Sequence, residues 1–344
     1  MTISRHTCRI CKTADNHPTF MGREMMFGTR EEFVYFQCNT CDCLQITDIP
    51  ENIDEYYPTD YMPHTLSETT NKGINWVIRI LQKQRCRTAL FGKNYKLNSL
   101  LKLIVDLPSA LYESPNGVSS VGRIITTTGL KSFDERILDV GCGIYSHWLA
   151  SLEELGFTEL QGVDPLIPAD QNHGYVNIAR SELCDVSGKF SLISLHHSLE
   201  HIPNQEETLI LIEKHLTHDG VCLIRIPIIP SHLWKKYGTN WVEFDPPRHF
   251  YLHSLKSLKL LANKAGLEVF DIQYDETAFE FYGSEMYARD IPLTNENSPL
   301  FNPESSLFTK EEMNNFKTLA NKVNQTGESG RAAFFLRKTL LSSG

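Results

Sequence analysis

Two Cys-x-x-Cys pairs near the start of the chain have the residue types and the spacing of metal ligands. Cys8 and Cys11 form the first pair, Cys38 and Cys41 form the second, and 26 residues separate the pairs. Each pair places two thiols on one side of a tight turn, and four thiolates suit a tetrahedral Zn²⁺. Four protein ligands leave no open coordination position on the ion. The pattern therefore predicts a structural zinc site, with unrelated free cysteines as the alternative.

Cys43 follows the second pair closely and leaves one assignment open. It either takes the place of Cys41 as a ligand or is a spare buried thiol. The segment between the pairs alternates polar and apolar residues, which is typical of hairpins. A unit of roughly forty residues has little core of its own, so a bound metal would supply folding free energy. We expect residues 1–50 to form a small zinc-ribbon domain.

A strand, a glycine turn and the start of a helix are predicted in RILDVGCGIYSHWL, residues 136–149. Gly141 and Gly143 allow the backbone to approach a ligand with no Cβ in the way. Asp139 lies two residues before Gly141, and the next apolar strand ends at Asp164. In an open α/β sheet, ligands bind beyond the carboxyl ends of the strands, where both acids are expected. The pattern indicates a nucleotide site.

The residues around this turn discriminate between nucleotides. The chain contains no G-x-x-x-x-G-K-[ST] sequence, which argues against a P-loop. A dinucleotide site would need Gly or Ala in place of Ser146, and a carboxylate at Asp139 would repel its pyrophosphate. The same carboxylate favours a ligand that carries an ammonium and a sulfonium but no phosphate. S-adenosylmethionine has these groups, and Asp164 is placed to accept hydrogen bonds from its ribose hydroxyls.

Strands and helices alternate from about residue 131, and this alternation predicts how the site is held. RILDVG, LQGVD, FSLISLHH and GVCLIRIP are short apolar strands, and LEVFDIQYD and RAAFFLRK predict two later ones. Ser254 begins one of the helices, and Thr309 opens a capping box before another. This order predicts a Rossmann-like, doubly wound, mostly parallel α/β sheet. The predicted regions are the zinc ribbon, a helical and linker region over residues 51–130, and the α/β domain over residues 131–344 with an insertion at about 275–330.

The motifs LDVGCG, GVD and FSLISLHHSLEHI, followed by LTHDGVCLIRIP, resemble those of class I S-adenosylmethionine-dependent methyltransferases, which have a seven-stranded sheet. A closer resemblance is to a subgroup with an N-terminal zinc ribbon, EYYPTDY, DPPRHFYLHSLKSL and GSEMYARDIPL. Members of this subgroup are commonly associated with methylation of sugars, glycans or secondary metabolites, and the resemblance implies an acceptor of this kind. Tyr145 departs from the family pattern D-x-G-x-G-x-G at its third glycine.

The cofactor residues have expected roles. Asp139 would help to hold the methionine amino group, the two glycines of the turn would allow close contact, and Asp164 would bind the ribose. Either Glu182 or Asp185, near the end of the third strand, would accept from the adenine amine. The predicted cofactor-binding residues are Asp139, Gly141, Gly143, Asp164, Glu182 and His197.

Acid–base candidates lie in two segments. HHSLEH, residues 196–201, follows the fourth strand, and the resemblance places it beside the transferred methyl group. Glu200 and His201 are catalytic candidates there, or they cap and anchor the next helix. In the long segment after the fifth strand, His249 is the preferred general base, because a hydroxyl acceptor must lose a proton and histidine suits that task. Alternatively, Arg248 and His249 only tie this loop to the core or bind the cofactor.

The predicted function is transfer of a methyl group to a hydroxyl, with a carbon as the second choice, of a sugar, glycan precursor or small metabolite. One alternative is an RNA or protein methyltransferase that uses the ribbon to recognise a macromolecule. Another is a non-catalytic scaffold in which Tyr145 closes the cofactor pocket. The aromatic residues of the loop would stack on a sugar face or fill a core; they are Trp234, Trp241, Phe250 and Tyr251.

Charge and composition exclude several partners and compartments. A net charge of −9 argues against nucleic acid or an anionic membrane as the main partner. Residues 72–105 are an exception, with eight Lys or Arg and no acid; they form either a phosphate-binding patch or a solvated helix face. No apolar run reaches the roughly 18 residues of a membrane span. The polar N-terminus and the odd number of cysteines favour a reducing, cytoplasmic location. The oligomeric state is not predicted.

Overall fold

Two sheets organise the chain in the computed structural model, which describes residues 2–57, 76–111, 121–302, 304–305 and 307–339. One sheet has five strands and lies mainly in the N-terminal region, and the other has eight strands. The last four residues of the EYYPTDY motif lie outside the described residues. Within the described ranges, no helix is both long enough and apolar enough to cross a bilayer.

The N-terminal sheet is an antiparallel meander closed by a strand from far along the chain. Its strands are β1 (Thr2–Thr7), β2 (Ala14–Arg23), β3 (Glu32–Gln37), β4 (Leu44–Ile46) and β11 (Tyr251–Leu252). They pair in the order β1-β2-β3-β4-β11. The predicted hairpin-rich unit is confirmed. The pairing of β11 with β4 was not predicted, and it places the loop that contains His249 against the N-terminal unit.

The second sheet carries the glycine turn. Its strands are β5 (Ile137–Val140), β6 (Leu160–Val163), β7 (Gln171–His173), β8 (Val176–Ala179), β9 (Phe190–His196), β10 (Leu216–Pro227), β12 (Leu267–Tyr274) and β13 (Arg331–Lys338). The order is β12-β13-β10-β9-β5-β6-β8-β7, with β10, β9, β5, β6 and β8 parallel. The strand order reverses between β5 and β9, so a crevice is expected beyond their carboxyl ends.

The predicted fold class is confirmed, with one added strand. The eighth strand, β7, forms a hairpin with β8 through Gly174, whose φ is +61°. A Cβ on Gly174 would lie 2.0 Å from Glu153 Oε1. The strand sequence is the polar tripeptide Gln-Asn-His, which has no apolar alternation. For this reason the pattern of the sequence did not indicate a strand there.

Helices cover both faces of this sheet. They are α1 (Trp76–Phe91), α2 (Tyr95–Leu101), α3 (Val121–Thr128), α4 (His147–Leu155), α5 (Gln205–His215), α6 (His232–Tyr237), α7 (Leu255–Lys264), α8 (Ala278–Ala288) and α9 (Lys310–Thr326). The caps at Ser254 and Thr309 are confirmed, because each side chain accepts from the third residue of its helix. All four residues of β5 are buried, as a strand covered on both faces requires.

Helices α1 and α2 form the described part of the basic stretch, so its predicted helical structure is confirmed. The Arg85 guanidinium is buried and donates to the Val105 backbone oxygen. Several apolar side chains of the two helices are exposed, among them Trp76 at 71% and Leu100 at 65%. These contacts do not decide between the two roles considered for this stretch, a phosphate-binding patch and a solvated helix face. The boundaries of the three predicted regions likewise stay predictions.

Candidate functional site

The glycine turn after β5 lies against the loop that follows β9. Gly141 has a φ of +71° and Gly143 a φ of +66°, both in the left-handed region. A Cβ on Gly141 would lie 2.6 Å from the Cβ of Ser198. The Ser198 hydroxyl donates to the Val140 backbone oxygen at 2.8 Å. Gly141 is therefore required by a close approach within the protein, in addition to any approach of a ligand.

Asp139 lies beneath this turn. Its Oδ1 accepts from the Ser194 hydroxyl at 2.8 Å, and its Oδ2 accepts from the Ser146 hydroxyl at 2.7 Å. Burial raises the pKa of Asp139 to about 6, although both serines act in the opposite direction. Asp139 is thus at the carboxyl end of its strand, as expected, and its side chain is buried. Both of its oxygens are hydrogen-bonded within the protein.

Asp164 is at the tip of the neighbouring strand β6 and holds the turn in place. Its Oδ2 accepts from the Gly143 N–H at 2.8 Å, and its Oδ1 accepts from the Leu166 N–H at 2.9 Å. Each carboxylate oxygen has a second lone pair, so ribose hydroxyls can still donate to it. The two carboxylates predicted for the cofactor lie at the carboxyl ends of adjacent strands: Asp139 is on β5, and Asp164 directly follows β6.

The adenine side of the site is less defined. Glu182 and Asp185 flank the short turn after β8, and both are exposed. Their placement does not choose between them. The Tyr145 ring packs against the rings of His147 and His173, with centroid distances of 4.9 and 5.8 Å. Tyr145 thus contacts the added hairpin strand β7.

The residues after β9 turn sharply at His197, which has a φ of +50°. The His197 N–H donates to the Arg225 backbone oxygen at 2.9 Å. Its Nδ1 lies 3.5 Å from Glu200 Oε1. His196 is oriented differently: its ring packs on Trp148 at 4.9 Å, and burial lowers its pKa to about 3. Of the two histidines, His197 is the one that faces Glu200.

Glu200, His201 and His249, the three predicted catalytic residues, lie together. One nitrogen or oxygen atom from each lies within 4.8 Å of the others. His201 Nδ1 is 2.8 Å from the Arg248 backbone oxygen, and His249 Nδ1 is 2.8 Å from the Glu243 backbone oxygen.

The two histidine contacts determine which ring nitrogens carry hydrogen. A carbonyl oxygen can only accept, so both Nδ1 atoms carry hydrogen and both Nε2 atoms carry a lone pair when the rings are neutral. The Tyr57 hydroxyl lies 3.0 Å from His201 Nδ1 as well. Burial lowers the pKa of both rings, that of His201 to about 3. Both rings are therefore neutral near pH 7.

A buried ion-pair network holds the loop that carries His249. Arg248 donates from Nε to Asp245 Oδ2 and from Nη2 to Glu24 Oε1, each at 2.9 Å. Burial acts to raise the pKa of Asp245, but Arg248 outweighs it and lowers the value. Arg248 ties the loop to the turn after β2, which agrees with the structural role considered for it, that of tying the loop to the core. Glu24 was not singled out by its sequence context.

The aromatic residues of the same loop mostly fill the core. Trp241, Phe250 and Tyr251 are at most 3% exposed. Trp234 is half-buried and packs on Phe20 at 5.3 Å. The structure gives three of the four no free ring face for stacking on a sugar.

A second buried network lies at the carboxyl ends of β10 and β12, and sequence reasoning missed it. Arg225 and Arg331 both pair with Asp275, and Arg331 also pairs with Glu280. The two arginines outweigh burial and lower the pKa of Asp275. Since the Arg225 backbone oxygen receives the N–H of His197, this network supports the loop after β9. Basic and acidic residues far apart in sequence leave no local signal for such a cluster.

A surface cavity of about 440 Å³ lies elsewhere. It is lined by Arg87, Lys93 and Lys131 among others, and Lys131 precedes β5. It is therefore at the opposite edge of the sheet from the glycine turn. Its position excludes it as the crevice expected for the cofactor.

The structure brings together the four cysteines predicted as metal ligands. Cys8 Sγ is 3.6 Å from Cys41 Sγ, and Cys11 Sγ is 3.5 Å from Cys38 Sγ. Four sulfurs held about 2.3 Å from a tetrahedral Zn²⁺ lie about 3.8 Å apart, so the spacing fits this ion. Cys43 is buried outside the group, with its Sγ 3.7 Å from the Leu44 backbone oxygen.

Polar groups around the cysteines fit the same ion. The Gln45 side-chain amide donates to Cys8 Sγ at 2.9 Å, and the Thr40 N–H donates to Cys38 Sγ at 3.4 Å. Donors of this kind stabilise thiolates and orient metal ligands.

Residues 108–272 match a family model described as a methyltransferase domain. This range contains the glycine turn, both strand-tip carboxylates and the cluster of Glu200, His201 and His249. The strand order of the eight-stranded sheet agrees with the family fold. The chain contains a methyltransferase domain and is an S-adenosylmethionine-dependent methyltransferase. The cysteine group is consistent with the zinc ribbon of the subgroup that the sequence resembles.

Comparisons with individual proteins give only distant likenesses. No curated protein matches the sequence. A Galdieria sulphuraria protein proposed to be a sarcosine dimethylglycine methyltransferase has a TM-score of 0.42 at 14% identity, over 64% of this methyltransferase and 84% of that chain. Phosphoethanolamine N-methyltransferase 2 of Haemonchus contortus has a TM-score of 0.38 at 18% identity, over 66% of this methyltransferase and 54% of that chain. The cyclopropane synthase MmaA2 of Mycobacterium tuberculosis has a TM-score of 0.40 at 14% identity, over 68% of this methyltransferase and 95% of that chain.

Proposed function

We propose that this methyltransferase transfers the methyl group of S-adenosylmethionine to a hydroxyl of a small acceptor such as a sugar or glycan precursor. The observation that supports it most is the cluster of Glu200, His201 and His249. It holds two imidazoles and a carboxylate, and Glu200 is two residues after Ser198, which packs against Gly141 of the glycine turn. A hydroxyl is a weak nucleophile until its proton is removed or its oxygen is polarised, and such a cluster suits that task.

The residues at the strand tips fit the cofactor. Bound S-adenosylmethionine would supply the transferable methyl group on its sulfonium. Asp139 offers a negative charge beneath the turn, which attracts the sulfonium and the ammonium. Asp164 has lone pairs for the ribose, and Gly141 and Gly143 leave the turn without side chains. These residues bind and orient the cofactor, and positioning is a large part of catalysis for such a displacement.

The cysteine group supports a structural zinc site in the same chain. Four thiol ligands leave no open position for a substrate, so a catalytic role for this ion is not proposed. The zinc ribbon packs on the loop that carries His249, where Tyr35 donates to the His249 backbone oxygen at 2.9 Å. We therefore propose that the zinc ribbon positions the loop, in preference to recognising a macromolecule.

Labelled methyl transfer tests this function. Purified enzyme and S-adenosyl[methyl-³H]methionine are incubated with separate pools of nucleotide sugars, oligosaccharides, RNA and proteins. We expect the labelled methyl group on a sugar oxygen. The bond should resist mild base, because it is an ether. Label only in RNA or protein would contradict the proposal. If S-adenosylhomocysteine stabilises the protein against heat but none of these pools becomes labelled, the non-catalytic scaffold is the hypothesis that agrees with the result.

A further inference from the structure

We infer that Glu200, His201 and His249 bind a divalent cation, and that this cation holds the acceptor through the hydroxyl to be methylated and a neighbouring oxygen. The inference rests on the proposed hydroxyl-directed activity. It adds a metal centre distinct from the cysteine group and names the substrate class as a vicinal diol or a similar pair of oxygens.

The two histidines are arranged as metal ligands are. Each donates its Nδ1 hydrogen to a backbone carbonyl, from Arg248 for His201 and from Glu243 for His249. Histidines that ligate metals usually make this hydrogen bond, which fixes the ring and leaves the other nitrogen for the ion. The two ring centroids lie 4.8 Å apart. These hydrogen bonds leave Nε2 as the ligand atom of each ring, and one nitrogen of each ring lies within 4.8 Å of the other and of a Glu200 oxygen.

Glu200 provides an independent observation. Its side chain is fully buried, and among the described residues its carboxylate makes no hydrogen bond to another side chain; the nearest such group is His197 Nδ1, 3.5 Å from Oε1. An unpartnered buried polar group costs about 1–3 kcal/mol, and more if it is charged. Helix capping does not explain it, because the residue at the N-cap of α5 is Asn204. A cation bound by the two histidines would give this carboxylate a partner.

The surrounding charges suit an ion of charge +2. Asp245 Oδ2 lies 4.0 Å from His249 Nε2, and Arg248 is shared between Asp245 and Glu24. Four carboxyl groups surround the cluster, those of Glu200, Glu243, Asp245 and Glu24, and Arg248 is paired with two of them. His197, the other group near Glu200, adds a third imidazole with its Nδ1 3.5 Å from Oε1. A divalent cation would therefore add positive charge where carboxyl groups outnumber the guanidinium.

Two imidazoles and one carboxylate leave coordination positions for acceptor oxygens and water. The ion would lower the pKa of a bound hydroxyl, as metals do for bound water. The hydroxyl then loses its proton to solvent, its oxygen forms the bond to the methyl carbon, and the carbon–sulfur bond breaks with its electron pair on sulfur. His249 Nε2 would be a ligand in this scheme, which replaces its predicted role as general base. An acceptor with a second oxygen beside the first would bind as a chelate.

Manganese binding tests the site without relying on activity. The full-length enzyme, with zinc in its ribbon, is titrated with Mn²⁺ and followed by electron paramagnetic resonance. We expect one Mn²⁺ per chain with couplings to two imidazole nitrogens, and at least tenfold weaker binding in Glu200→Gln. Glu207→Gln, at an exposed position on α5, is the matched control and should bind as the wild type does. Circular dichroism and zinc content establish that each variant is folded. If Glu200→Gln does not fold, His249→Asn replaces it as the variant that removes one metal ligand.

Three outcomes separate this inference from the proposed function. Absence of a bound Mn²⁺, or equal binding by the wild type and Glu200→Gln, would overturn the metal site. The metal site would also be overturned if enzyme that retains only its ribbon zinc after dialysis methylates the acceptor at the full rate. That result would leave the hydroxyl-directed activity in place, with His249 as its general base. Mn²⁺ binding without methylation of any hydroxyl would keep the metal site and reject the function. With a diol acceptor identified, we expect its analogue lacking the neighbouring hydroxyl to have a KM at least tenfold higher.

Discussion

Asp139 shows how single residues of this site are controlled by partners from other strands. Ser146 follows the glycine turn, but Ser194 belongs to β9, and together they occupy one lone pair on each oxygen of the carboxylate. The motif LDVGCG is enough to predict a strand that ends in a glycine turn at Gly141 and Gly143. It is not enough to predict burial of the carboxylate, because the second serine lies 55 residues away. The consequence of this burial is a pKa near 6, within a range that experiments can reach.

We expect cofactor affinity to fall as the pH drops through 6. Burial raises the pKa of Asp139 to about 6, so above that pH its negative charge attracts the sulfonium and ammonium of S-adenosylmethionine. Below it the carboxyl is neutral and the attraction is lost. Calorimetric titration between pH 7.5 and 5.5 should show a several-fold weaker Kd for S-adenosylmethionine and a smaller change for S-adenosylhomocysteine, which lacks the sulfonium.

Asp139→Asn provides the control for this prediction. The variant should bind weakly at every pH, with most of the dependence removed. If the wild type and Asp139→Asn lose affinity equally as the pH drops, the group that titrates is not Asp139. The raised pKa also has a consequence for the unliganded protein. The native state holds this proton more tightly than the unfolded chain, so the contribution of Asp139 to stability declines as the pH rises from about 4 to 6.

At the scale of elements, the zinc ribbon is built from two similar turns. In each, the residue after the second cysteine has a left-handed backbone: Lys12 at φ +64° and Asp42 at φ +62°. The Cys-x-x-Cys spacing was sufficient to predict the turns, and the alternation of polar and apolar residues predicted the hairpins between them. The choice between Cys41 and Cys43 depended on the direction of each side chain, which the spacing does not contain. In the structure Cys41 faces the other three thiols and Cys43 is buried away from them.

We expect Cys41→Ser and Cys43→Ser to differ in zinc content. Cys41→Ser removes one of four ligands, so zinc should fall from one ion per chain to almost none, and the melting temperature should fall with it. Cys43→Ser keeps the four ligands and should retain one zinc, although it buries a hydroxyl in place of a thiol. Atomic absorption on dialysed protein measures the difference. Loss of zinc from Cys43→Ser, or its retention by Cys41→Ser, would reverse the assignment.

At the scale of the whole molecule, the zinc ribbon and the methyltransferase domain are joined at the site. Strand β11 extends the ribbon sheet, the Ser254 hydroxyl donates to the Cys41 backbone oxygen, and Lys264 Nζ donates to the Ile10 backbone oxygen at 2.6 Å. The alternation of strands and helices was sufficient to predict the large sheet. These contacts join residues more than 200 positions apart, and no local pattern of one sequence contains them. The zinc ribbon is thus part of the support for the His249 loop.

Arg248 is the residue whose loss tests this coupling most directly. Its guanidinium is fully buried between Glu24 of the N-terminal unit and Asp245 of the loop. Removal of one partner leaves uncompensated buried charge, so Arg248→Met should lower the free energy of unfolding by about 3–5 kcal/mol. Arg337→Met is the matched control, because Arg337 is 55% exposed in its pair with Glu268 and should lose at most about 1 kcal/mol.

Denaturant titration followed by tryptophan fluorescence measures both variants of this pair. Adding Glu24→Gln to Arg248→Met should recover part of the loss, because it removes one of the two stranded carboxylates. If the network couples the zinc ribbon to the site, Arg248→Met should also raise the Kd for acceptor while S-adenosylhomocysteine still binds, since the glycine turn lies on different strands. Equal destabilisation by Arg248→Met and Arg337→Met would mean that the buried pair contributes no more than a surface one, and the zinc ribbon would then be held by β11 and the packing around it.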